Sequence, residues 1–302
     1  MAGLDAEQRG GHYSVPLENF TADADLVFFD ERLFLRRLDD IDREAFGAAY
    51  RGAESSFIGR VVAGITTNWT HCVSVRWQEG GAAPDRGRLA TIVDRIGSVV
   101  TALRVLHAGQ VAVPLNYSWQ RTATHVTAGT LLRMLPYVKS PAYHLGAGEL
   151  ESIRHLQVAH EATSERGYRL ATRRFDSSYD RLQEEDRLLD LWIALEALFA
   201  PDGQRGEITY KVSRRIPFAL SDERGRRVEI SNLVKRSYDA RSKIVHGDLV
   251  PDLKSIVDET EDVLRNALRR RWLERQGQKE PKRVVTAIDN AMFGCPGDDG
   301  SS

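Results

Sequence analysis

The sequence predicts an α+β N-terminal domain over residues 1–145, an all-α helical bundle over 146–276 and a tail at 277–302. Three observations predict it. Short β-branched runs, set off by Gly and Pro around one amphipathic helix, fill the first half. Apolar residues at helical spacing fill the second. Between them PYVKSPAYHLGAG, residues 136–148, gathers two prolines and two glycines, the composition of a linker.

Taken in order, residues 1–12 carry no pattern and read as disordered. DLVFFDERLFLR at 25–36 begins as an apolar, strand-like run and turns to helical spacing. Between 56 and 77, Val61, Val62, Ile65, Val73 and Val75 stand among Gly and Thr and read as short strands. EGGAAPDRG at 79–87 is a loop. From Leu89 to His107 a stripe of Ile92, Ile96, Val99, Val100, Leu103 and Leu106 marks a helix, which Gly109 stops. Residues 111–119 and 123–132 are rich in strand formers and are expected to pair. His71, Cys72, His107 and His125 are scattered, so no metal site is expected. Trp69, Trp77 and Trp119 read as core or interface residues.

The second half reads as helices at 149–162, 168–183, 185–200, 208–220, 226–246 and 253–275. The helix at 185–200 is apolar nearly all the way round, through Leu188, Leu189, Leu191, Trp192, Ile193, Leu195, Leu198 and Phe199. Such a helix belongs at the centre of a bundle. Glu196 lies inside it, and a buried carboxylate needs a partner. Arg241 is the first choice and Arg214 the second. The tail is mostly polar, although VVTAIDNAMF at 284–293 has the composition of a short docking helix.

At 302 residues the chain suits one or two domains, and 28% charged against 42% hydrophobic residues is an ordinary globular balance. The two cysteines, Cys72 and Cys295, make neither a disulfide framework nor a zinc pattern, so a reducing cytoplasm is expected. MAGLDAEQRGG lacks the features of a signal peptide, and no apolar run approaches the ~18 residues that span a bilayer. No membrane partner is expected. A net charge of −1 argues against a uniformly basic nucleic-acid coat. The distribution is uneven, with 11 basic against 5 acidic residues from Arg205 to Lys243. A local basic face attracts a polyanion, and a solvated helical surface is the plainer reading.

One stretch carries chemistry. SYDARSKIVHG at 237–247 ends a helix at Gly247. Positions Ile230, Val234, Tyr238, Arg241 and Val245 form its expected inward stripe, with Asp239, Ser242 and His246 on the strip beside it. An arginine on an apolar stripe is not an ordinary solvated cation. Its fork holds phosphate bidentately, and histidine moves a proton near neutral pH.

The spacing of Arg241 and His246 matches the R-x4–6-H motif of the HEPN superfamily. RRF at 173–175, EEDRLLDLWIALEALF at 184–199, ITYKVSRR at 208–215 and RSKIVHG at 241–247 resemble, in order and spacing, the Apea-like HEPN domain of prokaryotic defence and toxin-like proteins. The resemblance covers about residues 150–275. It implies an HEPN-type helical bundle, a homodimer, and a metal-independent endoribonuclease without a cofactor. Two positions depart from the family's pattern. Asp248 stands where some members carry a modified tyrosine, and Ser242 where many carry Asn or Asp.

On that reading Arg241 stabilises phosphate charge and His246 acts as general acid or base, the RNA 2′-hydroxyl being the nucleophile. Glu196, Ser242 and Asp239 support them, and Lys211, Arg214, Arg215 and Lys243 bind RNA. The alternative is a non-catalytic HEPN module that binds RNA, nucleotide or a protein partner. The first domain carries no catalytic motif and is expected to sense a trigger or meet an antitoxin partner.

Overall fold

In the computed structural model the chain divides into two compact units, Met1–Glu161 and Ala162–Ser302. The structure describes residues 11–40, 42–44, 46–47, 69–77, 86–113, 115–121, 126–132, 142–200, 208–274, 288–289 and 292. Residues 1–10 of the expected disordered start, the strands at 56–68 and the first part of the linker lie outside the described residues, while Gly11 and His12, read as part of that disordered start, are in a strand.

In the first unit the β-branched runs become strands: β1 (Gly11–Pro16), β2 (Phe20–Ala22), β3 (Leu26–Phe28), β4 (Leu33–Arg37) and β5 (His71–Trp77). Four of them pair antiparallel in the order β1-β5-β4-β3. Residues His71 to Val75 of β5 are all buried, as expected of an inner strand covered on both faces. Its hydroxyl on one face is satisfied, since Ser74 Oγ lies 2.7 Å from Ser14 Oγ. Cys72 is buried beside it, and burial pushes its thiol up to about 11, so it is protonated near neutral pH. The reading of 25–36 as turning helical is corrected: β3 and β4 form a hairpin. Asp30 decides this. Its carboxylate accepts the backbone N–H of Arg32 (2.7 Å) and Leu33 (3.0 Å), a local bond that closes a turn in place of a helix.

Helix α1 (Arg86–Leu106) buries all six stripe residues the spacing predicts. Gly109 follows at φ 147°, where a Cβ would stand 2.8 Å from Tyr143 Cδ2. β6 (Leu115–Arg121) and β7 (Val126–Leu132) pair antiparallel, as expected. The linker reading is corrected at 143–148. β8 (Tyr143–Leu145) pairs in parallel with β2, and the buried Tyr143 donates its hydroxyl to Leu103 O at 2.7 Å. Helix α2 (Leu150–Glu161) also belongs to this unit rather than to the bundle. Gln157 Nε2 donates to Ser98 Oγ (3.1 Å), whose hydroxyl lies 2.7 Å from Arg95 O and 3.1 Å from Glu161 Oε1, and Arg154 Nε donates to Phe28 O (2.8 Å). The domain boundary therefore falls after Glu161. Helical spacing identifies α2 as a helix but does not say which neighbour takes its apolar side.

The second unit is helical among its described residues: α3 (Arg166–Tyr179), α4 (Glu184–Phe199), α5 (Ile208–Leu220), α6 (Arg224–His246) and α7 (Leu253–Glu274). α4 packs against the other four. Leu188, Leu191, Trp192, Ala194, Leu195, Leu198 and Phe199 are buried, which follows from a helix apolar on most sides. Charged residues tie the helices at defined points. Asp190 is buried and accepts from Arg174 Nη1 and Arg181 Nε, each at 2.7 Å. Glu261 on α7 accepts from Tyr179 (2.8 Å), Arg187 (2.6 Å) and Arg265. Each carboxylate meets at least two donors, the condition for keeping a charge inside a core.

Candidate functional site

Helix α6 turns toward the core through Ile230, Val234, Ser237 and Ala240. This corrects the expected stripe in its second half. Tyr238 is half-buried and Val245 is 59% exposed. An apolar count overlooks a small polar residue such as Ser237, which is buried because its hydroxyl is fully bonded. It accepts Trp192 Nε1–H at 2.9 Å and lies 2.6 Å from Thr260 Oγ1.

Arg241 follows Ser237 by one turn, and Glu196 follows Trp192 by one turn. The structure brings this second pair together as the carboxylate's position in an apolar helix requires, with Arg241 Nη2 3.4 Å from Glu196 Oε1. Both side chains are about a quarter exposed, 29% and 26%. Burial raises the Glu196 carboxyl above its ordinary value, and the guanidinium charge of Arg241 pulls it the other way. At 3.4 Å this is an ion pair and not a close two-bonded fork. Arg241 Nε is buried without a hydrogen-bond partner. The Tyr238 ring stands beside the guanidinium, its centroid 5.9 Å from Cζ, and meets Trp192 edge-on at 5.4 Å. Nε is out of reach of a ligand, so a phosphate oxygen can meet only the Nη N–H groups of this partly exposed side chain.

His246 is the last residue of α6 and is exposed. Gly247 ends the helix at φ 82°, with Gly247 N–H on Ile244 O (3.0 Å) and Asp248 N–H on Lys243 O (2.9 Å). The imidazole sits in the last turn, at the negative end of the helix. Five positions at 100° each turn His246 about 140° away from Arg241 around the helix axis. Within one chain the two groups do not face the same point. Asp239 and Lys243 are exposed and Ser242 is half-buried. Their side chains and that of His246 make no hydrogen bond or ion pair among the described residues.

Of the four residues read as RNA-binding, Lys243 lies on α6 and Lys211, Arg214 and Arg215 on α5. Arg214 is exposed and Lys211 half-buried. Arg215 has another task. Only 5% exposed, it donates Nε (2.8 Å) and Nη2 (2.7 Å) to the two carboxylate oxygens of Asp289 and Nη1 to Phe199 O at 2.6 Å. That guanidinium closes the C-terminal end of α4 and holds the later segment, so it is not available to RNA. Ile288 is buried and helical next to Asp289, which places part of the expected tail inside the unit. Sequence reading missed Asp289 because a bond 74 residues away leaves no local pattern. It also missed Ser237 and Thr260, although the indole N–H of Trp192 in an apolar helix demands an acceptor.

Among the described residues no group of His, Cys, Asp and Glu is arranged to hold a metal ion, and no described helix is long and apolar enough to cross a membrane. No protein-family model, no curated protein and no solved structure matches this chain.

Proposed function

We propose that the helical unit is an HEPN-type, metal-independent endoribonuclease that works as a homodimer, as a toxin or an antiviral defence effector in the cytoplasm. The carrying observation is the state of Arg241: a guanidinium whose side chain is 29% exposed, held by one 3.4 Å ion pair to Glu196 through Nη2. A cation held in place but not used up suits a phosphate. His246, five residues on, transfers the proton from the 2′-hydroxyl as it attacks the phosphorus to the 5′-oxygen as it leaves. The products are a 2′,3′-cyclic phosphate and a 5′-hydroxyl. The defence setting rests on the resemblance in sequence.

A dimer accommodates the divergence of the two side chains. A two-fold axis beside the ends of two α6 helices sets the arginine of one copy against the histidine of the other. Val245, 59% exposed, and Leu249, 94% exposed, supply apolar surface on either side of His246 for that pairing. The first unit, with no catalytic motif, is left to sense a trigger or bind an antitoxin.

The test is cleavage of total RNA in EDTA by the full chain, wild type beside His246→Ala and Arg241→Ala, each first shown folded by circular dichroism. Wild type should cut and His246→Ala should lose at least a hundredfold in rate. A folded His246→Ala that cuts like wild type overturns the reading. The divergence of Arg241 and His246 favours a second reading, a non-catalytic module that binds RNA, nucleotide or protein. Its signature is salt-dependent RNA binding with no cleavage.

A further inference from the structure

We infer that Ser237 and Thr260 are positioning residues for Arg241. Two rungs join α4 to α6. The first is Trp192 to Ser237 at 2.9 Å, and the second is Glu196 to Arg241 at 3.4 Å. Trp192 and Glu196 are four residues apart on α4, and Ser237 and Arg241 are four apart on α6. Each pair therefore lies on one face, a turn apart, and the helices run in the same direction here.

The first rung is anchored to α7 by a relay whose proton directions are fixed. The indole N–H has only a proton to give, so Ser237 Oγ accepts it. Thr260 gives its single hydroxyl proton to Ile256 O at 2.6 Å. Ser237 must then donate to Thr260, across 2.6 Å. Every member is buried and satisfied, and reversal at any link orphans a group. A slip of α6 by one residue turns its face by about 100° and breaks the relay. The same slip carries Arg241 away from Glu196. The relay thereby fixes the rotation of α6 at the turn before the arginine. It does not touch a substrate, and it acts through Arg241 alone.

The activity arm of the test rests on the nuclease reading, and the titration arm does not. Ser237→Ala, Thr260→Val and the conservative Thr260→Ser are compared with wild type in the full chain. The Glu196 side-chain carboxyl is followed by 13C NMR against pH, and Glu196→Gln identifies its signal by loss. In Ser237→Ala and Thr260→Val the carboxyl should titrate at higher pH than in wild type, because Arg241 no longer offsets its burial. Thr260→Ser, which keeps the hydroxyl, should titrate like wild type. RNA cleavage should fall about a hundredfold in the first two and stay unchanged in the third. Coincident titration curves in wild type, Ser237→Ala and Thr260→Val overturn the inference. Variants that unfold outright also overturn it, since the relay then holds the bundle and not the arginine. If wild type cuts no RNA, the nuclease reading fails and the titration alone decides the relay.

Discussion

A carboxylate placed in an apolar helix leaves a trace in how stability depends on pH. Burial raises the Glu196 carboxyl above its ordinary 4.5, and Arg241 only partly offsets this. The folded chain then holds that proton to higher pH than the unfolded chain does. Unfolding releases the proton, so stability falls as pH rises from 4.5 through the raised folded value, and then levels off. Glu196→Gln has no proton to release. Thermal melts of both proteins across that window should show a decline in wild type that the variant lacks. Equal slopes would mean that Arg241 holds the carboxyl at its ordinary value.

At the scale of elements, the motif helix depends on how it stops. Gly247 adopts φ 82°, and its N–H and that of Asp248 close the last turn. A Cβ there meets nothing within 4 Å, so Gly247→Ala costs only the left-handed backbone, about 1 kcal/mol. Chemical denaturation should show a lower midpoint with an unchanged slope. Asn, which tolerates that conformation better, should recover part of the loss. On the nuclease reading, Gly247→Ala should also slow RNA cleavage, because His246 is the residue before the stop. The hairpin of β3 and β4 makes the complementary point. Helical spacing at 25–36 gives way to one aspartate that bonds the backbone two and three residues on.

At the scale of the whole molecule, Ile288 and Asp289, beyond α7, belong to the helical unit. Truncation after Gln276 removes Ile288, which is buried, and Asp289, which neutralises Arg215. A guanidinium 5% exposed is left without its counter-charge. Loss of one partner of a buried pair costs about 3–5 kcal/mol; Asp289 is itself 35% exposed, so the lower end applies, about 3 kcal/mol. The truncated chain should melt lower than the full chain by several degrees. Asp289→Asn should reproduce part of that difference. A truncated chain as stable as the full one would show that the segment adds nothing.

Repeating spacings were legible in the sequence, and single long-range bonds were not. The stripe from Ile92 to Leu106, the apolar helix around Trp192 and the stop at Gly247 are set by local periodicity and local backbone preference, so a linear reading finds them. Glu196 points to Arg241 because a buried carboxylate needs a cation and Arg241 stands on the expected inward stripe of the motif helix. The tertiary structure alone decided which unit takes α2, that Arg215 serves Asp289 and not a polyanion, and that Ser237 is a buried link. These depend on which surfaces meet after the chain has folded, and hydrogen-bond partners far apart along a chain share no spacing that a sequence displays.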